Sequence, residues 1–292
     1  RMRDMANRIS GYIYDKEGIR MTQALGICEI GEGETDVQLA LSYAIQTVDP
    51  IKNSRSNVVR TYDEELRRKL REQQEREMLL DKADVRKDFV AYYQAKVDIR
   101  SERVVGAEAL VRFKDPTDGG AIRAPSFFVP YYEQTGRIME IDFFVMESVC
   151  QMLRKRIDQG LAVVPVSCNF SRSHFVREEF PAHIESVIEK YQIPKNLIEV
   201  EITETLVVEE MQQQKVKENV DILKKNGIHL SIDDFGSGYS SLGVFEQIPA
   251  SVIKLDRSFL LNNKNRERQV QIMKNIVNLA RDLDAQVVCE GV

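Results

Sequence analysis

The sequence predicts an α/β chain whose larger part is a (β/α)8 TIM-type barrel, joined through a helix to a smaller partial α/β domain at its start. Three observations carry this expectation. From residue 89 onward, short β-rich runs alternate with longer stretches of helical periodicity, the pattern of parallel βα units. Seven such runs fall within about 200 residues, a density that suits a barrel. No Gly-rich dinucleotide loop follows the early runs, which argues against an open doubly wound sheet.

Taken in order, residues 1–61 alternate short apolar and helical stretches: 21–30 (MTQALGICEI) reads as a strand ending at a glycine turn, and 37–48 as a helix. About 60 residues is marginal for an independent core, so this piece reads as the end of a larger domain. Residues 62–86 (YDEELRRKLREQQEREMLLDKADVR) are strong helix formers of mixed charge without Gly or Pro, an exposed connecting helix. Leu66, Leu70 and Met78 are too few apolar positions for a sustained coiled-coil seam. The barrel, residues 87–292, has strand runs at 92–99, 104–113, 163–169, 197–203, 228–233, 252–255 and 286–290. Helical stripes at spacings of three and four lie between them: Met146, Val149, Leu153 and Ile157; Val216, Val220 and Leu223; Met273, Ile276, Ala280 and Leu283. A barrel of this kind usually takes about 250 residues, so the closing βα elements are expected to lie beyond Val292.

Composition narrows the function. In 292 residues, 41 Lys and Arg stand against 46 Asp and Glu, a formal net charge of −5, which argues against a nucleic-acid polymer as partner. The 43% apolar and 30% charged content is that of a folded chain. No apolar run approaches 18 residues and residues 1–10 contain no signal-peptide core. The expected location is cytoplasmic, with membrane attachment only through a segment outside this chain. Cys28, Cys150, Cys168 and Cys289 are far apart and lack CxxC spacing, which predicts reduced, buried thiols rather than a zinc site. His174, His183 and His229 fit no ligand spacing and read as structural.

The chemistry is expected where the strands end. Alternation puts Glu108, Leu110 and Arg112 on one face of their strand, Ser167 and Asn169 on one face of the next, and Glu199, Glu201 and Thr203 on another. Asp233 ends its run, Lys254 lies within the next, and Glu290 ends the last. In a parallel barrel these ends converge on one mouth. Gathered carboxylates repel each other and lose hydration, so something cationic must offset them. Arg112 and Lys254 supply part; a plainer reading pairs Lys254 with Asp256, two residues on. Glu108, Asn169, Glu201, Asp233 and Asp234 form an oxygen-only set, which favours Mg2+ or Mn2+. The adjacent aspartates could bridge two ions, the usual device for phosphodiester hydrolysis. Residues 234–242 (DFGSGYSSL) read as a mobile loop at the mouth, or as an ordinary βα turn.

These segments also resemble a known family. Glu108-Ala-Leu-Val-Arg-Phe113 looks like the motif that names the EAL domain family. Ser167-Cys-Asn-Phe-Ser171, Glu201-Ile-Thr-Glu204, Asp233-Asp-Phe-Gly-Ser-Gly-Tyr-Ser-Ser-Leu242, Lys254-Leu-Asp-Arg-Ser-Phe259 and Glu290-Gly-Val292 resemble its further motifs, in order. The resemblance implies a (β/α) barrel that hydrolyses the bacterial second messenger cyclic di-GMP to linear pGpG with two Mg2+ or Mn2+ ions. By motif position, Glu108, Asn169, Glu201 and Asp233 resemble the ligands of one ion, and Asp233 with Asp234 those of the second. Lys254 corresponds to the lysine that orients the attacking water, Glu290 completes the acidic cluster, and Glu204 supports the loop, in which Asp234, Phe235, Gly236, Ser237 and Gly238 are the first residues. Gln94, Leu110, Arg112 and Asp256 stand at substrate-binding positions, and the planar fork of Arg112 suits a phosphate.

The chain departs from the family pattern in places. Gln94-Ala95-Lys96 stands where the family usually has Gln-Pro and an apolar residue, and Ser237 replaces a threonine. Residues 1–61 resemble the carboxyl-terminal part of a GGDEF domain, through the strand at 21–30, the helix with Ala40 and Ala44, Lys52, Asn57 and the run at 58–62. The Gly-Gly-Asp-Glu-Phe motif itself is not in this chain. The implied protein is a GGDEF–EAL signalling phosphodiesterase, with room for a homodimer. The alternative is a catalytically silent cyclic di-GMP sensor that signals through the helix at 62–86.

Overall fold

A computed structural model describes residues 24–30, 37–48, 58–204, 206, 214–236, 248, 250–258 and 266–291. It separates into two compact units, Arg1–Lys82 and Ala83–Val292.

In the first unit, β1 (Ala24–Ile27) and β2 (Val58–Thr61) pair in parallel, with Ala24 opposite Val58 and Ile27 opposite Thr61. Parallel neighbours need a crossover, and α1 (Val37–Val48) supplies a helix between them in sequence. Gly26 lies so close under the carbonyl of Ala44 that a side chain there would collide with the helix backbone. Tyr43 stacks on Tyr62 with ring centroids 4.4 Å apart. Helix α2 (Glu64–Lys82) begins where the Asp63 carboxylate accepts the Leu66 N–H at 2.8 Å, an N-cap. The helix expected over 62–86 stops at Lys82 because Asp84 caps a separate turn, α3 (Val85–Asp88), accepting from Arg86 N.

The second unit is built on a curled, half-barrel sheet. Along it run β10 (Gln286–Cys289), β9 (Val252–Leu255), β8 (His229–Phe235), β7 (Ile198–Thr203), β6 (Val166–Asn169), β4 (Val104–Asp115) and β3 (Phe89–Val97), with β5 (Ala121–Arg123) attached to β4. From β4 to β10 the main-path neighbours are parallel. The first pair is not: β3 and β4 form an antiparallel hairpin, which corrects the expectation of parallel units throughout. Residues 98–103 are too few for a crossover helix. Asp98 closes the turn by accepting from the N–H of Arg100 and Ser101 and from the Ser101 hydroxyl, and Glu102 takes a positive φ of 55°. The sheet therefore departs from a (β/α)8 arrangement at its start, and among the described residues β3 and β10 are its edges.

Helices cover one side of the sheet, and their apolar stripes make the core. α4 (Val129–Gln134) and α5 (Ile138–Asp158) follow β5; α5 buries Ile141, Val145, Met146, Val149 and Leu153. α6 (Arg172–Phe175) and α7 (Phe180–Lys190) follow β6, and α8 (Gln214–Lys225) buries Val216, Val220 and Leu223. α9 (Arg266–Asp282) precedes β10. Phe89, Phe113, Phe128 and Tyr132 form an edge-to-face cluster at the sheet's first strands, with Phe89 5.1 Å from both Phe113 and Phe128. The structural reading of His174 holds: it is buried, its Nε2 3.1 Å from Asp142. His183 stacks on Phe143, whereas His229 is exposed. All four cysteines are free thiols; Cys150 and Cys168 are buried, but Cys289 is exposed, contrary to expectation, because it ends an edge strand.

Candidate functional site

Register brings the acids together. Glu108 on β4 lies beside Ser167 on β6, Asn169 beside Glu201 on β7, and Thr203 beside Asp233 on β8, so side chains of equal pleat phase share the concave face. Lys254 on β9 is their meeting point. Its Nζ lies 3.0 Å from Glu108 Oε2, 2.8 Å from Glu201 Oε2, 2.8 Å from Asp233 Oδ1 and 2.8 Å from Glu290 Oε1. Asn169 joins this set by donating from Nδ2 to Glu108 Oε1 at 3.0 Å. The plainer pairing of Lys254 with Asp256 is therefore corrected: Lys254 turns to four other acids, and Asp256 is held below the usual carboxylate pKa by hydrogen bonding from the Ser258 side chain first and then from the Ser258 N–H at 2.8 Å.

Asp233 was expected to end its strand, but β8 continues to Phe235 through a bulge. Ile232 pairs with Ile253 and Phe235 with Leu255, so Asp233 and Asp234 together oppose the single residue Lys254. Asp234 takes φ 55° to make this possible, a region that Asp and Asn tolerate better than most residues. In a regular strand two consecutive side chains would point to opposite faces. The bulge instead lets oxygens of Asp233, Asp234 and Glu290 lie within 4.8 Å of one another, close enough to share a cation. Glu290 is held there by its own N–H, which donates to Leu255 O at 3.1 Å. Gly291 then turns with φ 70° against Arg257, where a Cβ would clash.

Electrostatics show what the cluster lacks. Burial raises the pKa of Glu201 to about 7, with the Glu108 and Asp233 charges adding to it and Lys254 opposing. Burial and the charges of Asp233 and Glu290 raise Asp234 to about 6. Burial works against the Lys254 ammonium, but Glu201, Asp233 and Glu108 outweigh it and hold its pKa above the usual lysine value. Glu201 Oε1 is buried without a hydrogen-bond partner. An oxygen-rich donor set with excess negative charge and an unsatisfied buried oxygen fits hard divalent cations.

The remaining predicted positions surround this centre. Gln94 is exposed and pairs in register with Glu108. Leu110 is half-buried opposite Tyr92, and Arg112 lies 5.9 Å over the Tyr92 ring while donating to Val111 O. Glu204, buried just after β7, accepts the Gly236 N–H at 2.8 Å and so ties Gly236 to the end of β7. Phe235 is buried and Gly236 takes φ 96°; Ser237 and Gly238 lie outside the described residues. Sequence reasoning missed Lys96, whose Nζ reaches Glu199 Oε1 at 2.9 Å and lies 3.6 Å from Glu201 Oε1. A lysine inside a predicted strand run was the available signal.

The EAL domain profile matches residues 76–292. The signaling protein YkoW of Bacillus subtilis is 33% identical over 216 residues, covering 74% of this chain and 26% of that protein. The bifunctional diguanylate cyclase/cyclic di-GMP phosphodiesterase MucR of Pseudomonas aeruginosa is 28% identical over 290 residues, covering 99% of this chain and 42% of that protein. The chain thus spans less than half the length of these relatives. A solved structure of the PaMucR phosphodiesterase in complex with c-di-GMP superposes with a TM-score of 0.64 at 29% identity, over 78% of this chain and 87% of that one. The EAL enzyme Bd1971, in its cAMP- and cyclic-di-GMP-bound form, gives a TM-score of 0.67 at 26% identity, over 77% and 60%. With the profile matching most of its length and acids from four strands meeting at Lys254, the chain belongs to the EAL domain family.

Proposed function

We propose that residues 87–292 are a phosphodiesterase domain that hydrolyses cyclic di-GMP to linear pGpG, preceded by a helical linker at 62–86 and a partial GGDEF-like domain at 1–61. The proposed setting is a cytoplasmic GGDEF–EAL signalling protein. The observation that carries this reading is the ammonium of Lys254 within 3.0 Å of carboxylates from β4, β7, β8 and the end of β10. Similarity to the MucR phosphodiesterase structure with bound c-di-GMP supports the choice of substrate.

Glu108, Asn169, Glu201, Asp233 and Asp234, with Glu290 beside them, would hold two Mg2+ or Mn2+ ions. Bound there, the cations would supply Lewis acidity towards water and the phosphoryl oxygens. Lys254 orients the water for attack on phosphorus, its Nζ already fixed by four acids. One P–O ester bond is exchanged for a P–OH bond, and the released ribose oxygen takes up a proton. Arg112 holds a phosphate oxygen with its donor fork, and Gln94, Leu110 and Asp256 line the substrate side. Glu204 steadies residues 234–236 through the Gly236 N–H.

Incubating the purified chain with cyclic di-GMP and Mn2+ or Mg2+ should give pGpG by chromatography, and Glu108→Gln should abolish it. Binding of cyclic di-GMP without turnover, at an affinity that Mg2+ leaves unchanged, would replace this reading with the silent sensor.

A further inference from the structure

Glu201 is gripped from two sides. Its Oε2 meets Lys254, while its Oε1, buried and without a hydrogen bond, faces a second ammonium, that of Lys96, at 3.6 Å. Lys96 comes from β3, three strands away from β7 along the sheet, and its side chain is only 13% exposed. It is anchored by Glu199, one pleat below Glu201 on the same face, with 2.9 Å between Nζ and Oε1. Glu199 is itself buried, so Lys96 and Glu199 balance each other directly beneath the acidic mouth. Glu201 thus lies within ion-pair distance of both ammoniums.

We propose that Lys96 is a positioning residue of the cation site: a built-in positive charge 3.6 Å from Glu201 Oε1 that, balanced by Glu199, sets how strongly the site attracts divalent ions. This rests on the reading of Glu201 as a cation ligand. The physical argument is Coulombic. An ammonium in contact with a ligand oxygen repels an incoming cation, and an unbalanced carboxylate at the same depth attracts it. Both effects are large in a buried, poorly screened setting. The pair together adds no net charge, whereas either member alone shifts the field at Glu201 by a full unit.

The test is Mn2+ binding to the full chain at pH 8 without substrate, followed by electron paramagnetic resonance. Lys96→Met should tighten Mn2+ binding at least threefold, and Glu199→Gln should weaken it at least threefold. The double variant Lys96→Met/Glu199→Gln should return within twofold of the parent, as should Lys96→Arg. Equal affinities in all four variants and the parent would overturn the proposal, as would weakening in Lys96→Met. If Lys96→Met alone fails to fold, Glu199→Gln and the double variant still decide. Failure of the unsubstituted chain to bind Mn2+ would instead overturn the cation-site reading on which the proposal rests.

Discussion

Lys254 Nζ and Glu108 Oε2 meet at 3.0 Å although 146 positions separate them in the chain. The contact joins β9 to β4 across the concave face of the sheet. Removing the ammonium leaves Glu108, Glu201, Asp233 and Glu290 facing one another without their shared counter-charge. Breaking a buried pair in this way costs about 3–5 kcal/mol. Lys254→Met should therefore lower the urea midpoint of the metal-free protein sharply, and Mn2+ should restore much of the loss. Turnover should remain down by about 10²-fold or more even with Mn2+ present. An unchanged urea midpoint in EDTA would contradict this arrangement.

The raised pKa of Glu201, about 7, and of Asp234, about 6, gives the metal-free protein an unusual pH dependence. Both groups prefer to be protonated in the folded state, so their stabilising contribution is complete below about pH 4, near the unfolded values, and is lost as pH rises through 6 to 7. Thermal unfolding in EDTA should show a lower midpoint at pH 8 than at pH 5.5. Saturating Mn2+ should reverse the order, because cations compete with protons for the same oxygens. A midpoint that rises steadily from pH 5.5 to 8 in EDTA would count against it.

Glu204 accepts the Gly236 N–H at 2.8 Å, a bond that joins the end of β7 to the end of β8. Glu204→Ala should accelerate amide exchange at Gly236 and lower kcat by about tenfold, the value of one hydrogen bond to a charged group at roughly 1.5 kcal/mol. Mn2+ affinity should stay within twofold, since Glu204 lies outside the group around Lys254. A large loss of Mn2+ affinity would show that Glu204 belongs to the cation site instead.

Phe89 begins β3 at the centre of the ring cluster with Phe113, Phe128 and Tyr132. Truncating it to alanine removes packing from all three rings. The expected cost is about 3–5 kcal/mol by urea denaturation, with the spacing of the acids around Lys254 unaffected. A cost below about 1 kcal/mol would mean that the cluster closes over the gap.

The parts of this fold that could be read from the chain are those written in short-range pattern. Alternation placed Glu108, Asn169 and Glu201 on common faces, and threes and fours placed Met146, Val149 and Leu153 on a buried stripe of α5. What escaped depended on events between neighbours. The β3–β4 hairpin hangs on Asp98 bonding to Arg100 and Ser101, a local turn signal that the βα rhythm obscured. The bulge at Asp233 and Asp234 exists only relative to β9, so no property of β8 alone marks it. The partnership of Lys96 with Glu199 spans 103 positions and follows from sheet curvature rather than from any motif.

The left-handed backbone at Asp234 also limits what this position can become. Asparagine keeps both the conformation and the shape, so a unit of negative charge can be deleted there with little disturbance to β8. Valine, isoleucine or threonine would strain the main chain whatever their chemistry. Substitutions tolerated by the scaffold at this point thus lead to a neutral amide, a short step from an acid-rich mouth to one that grips cations less firmly while the architecture stays intact.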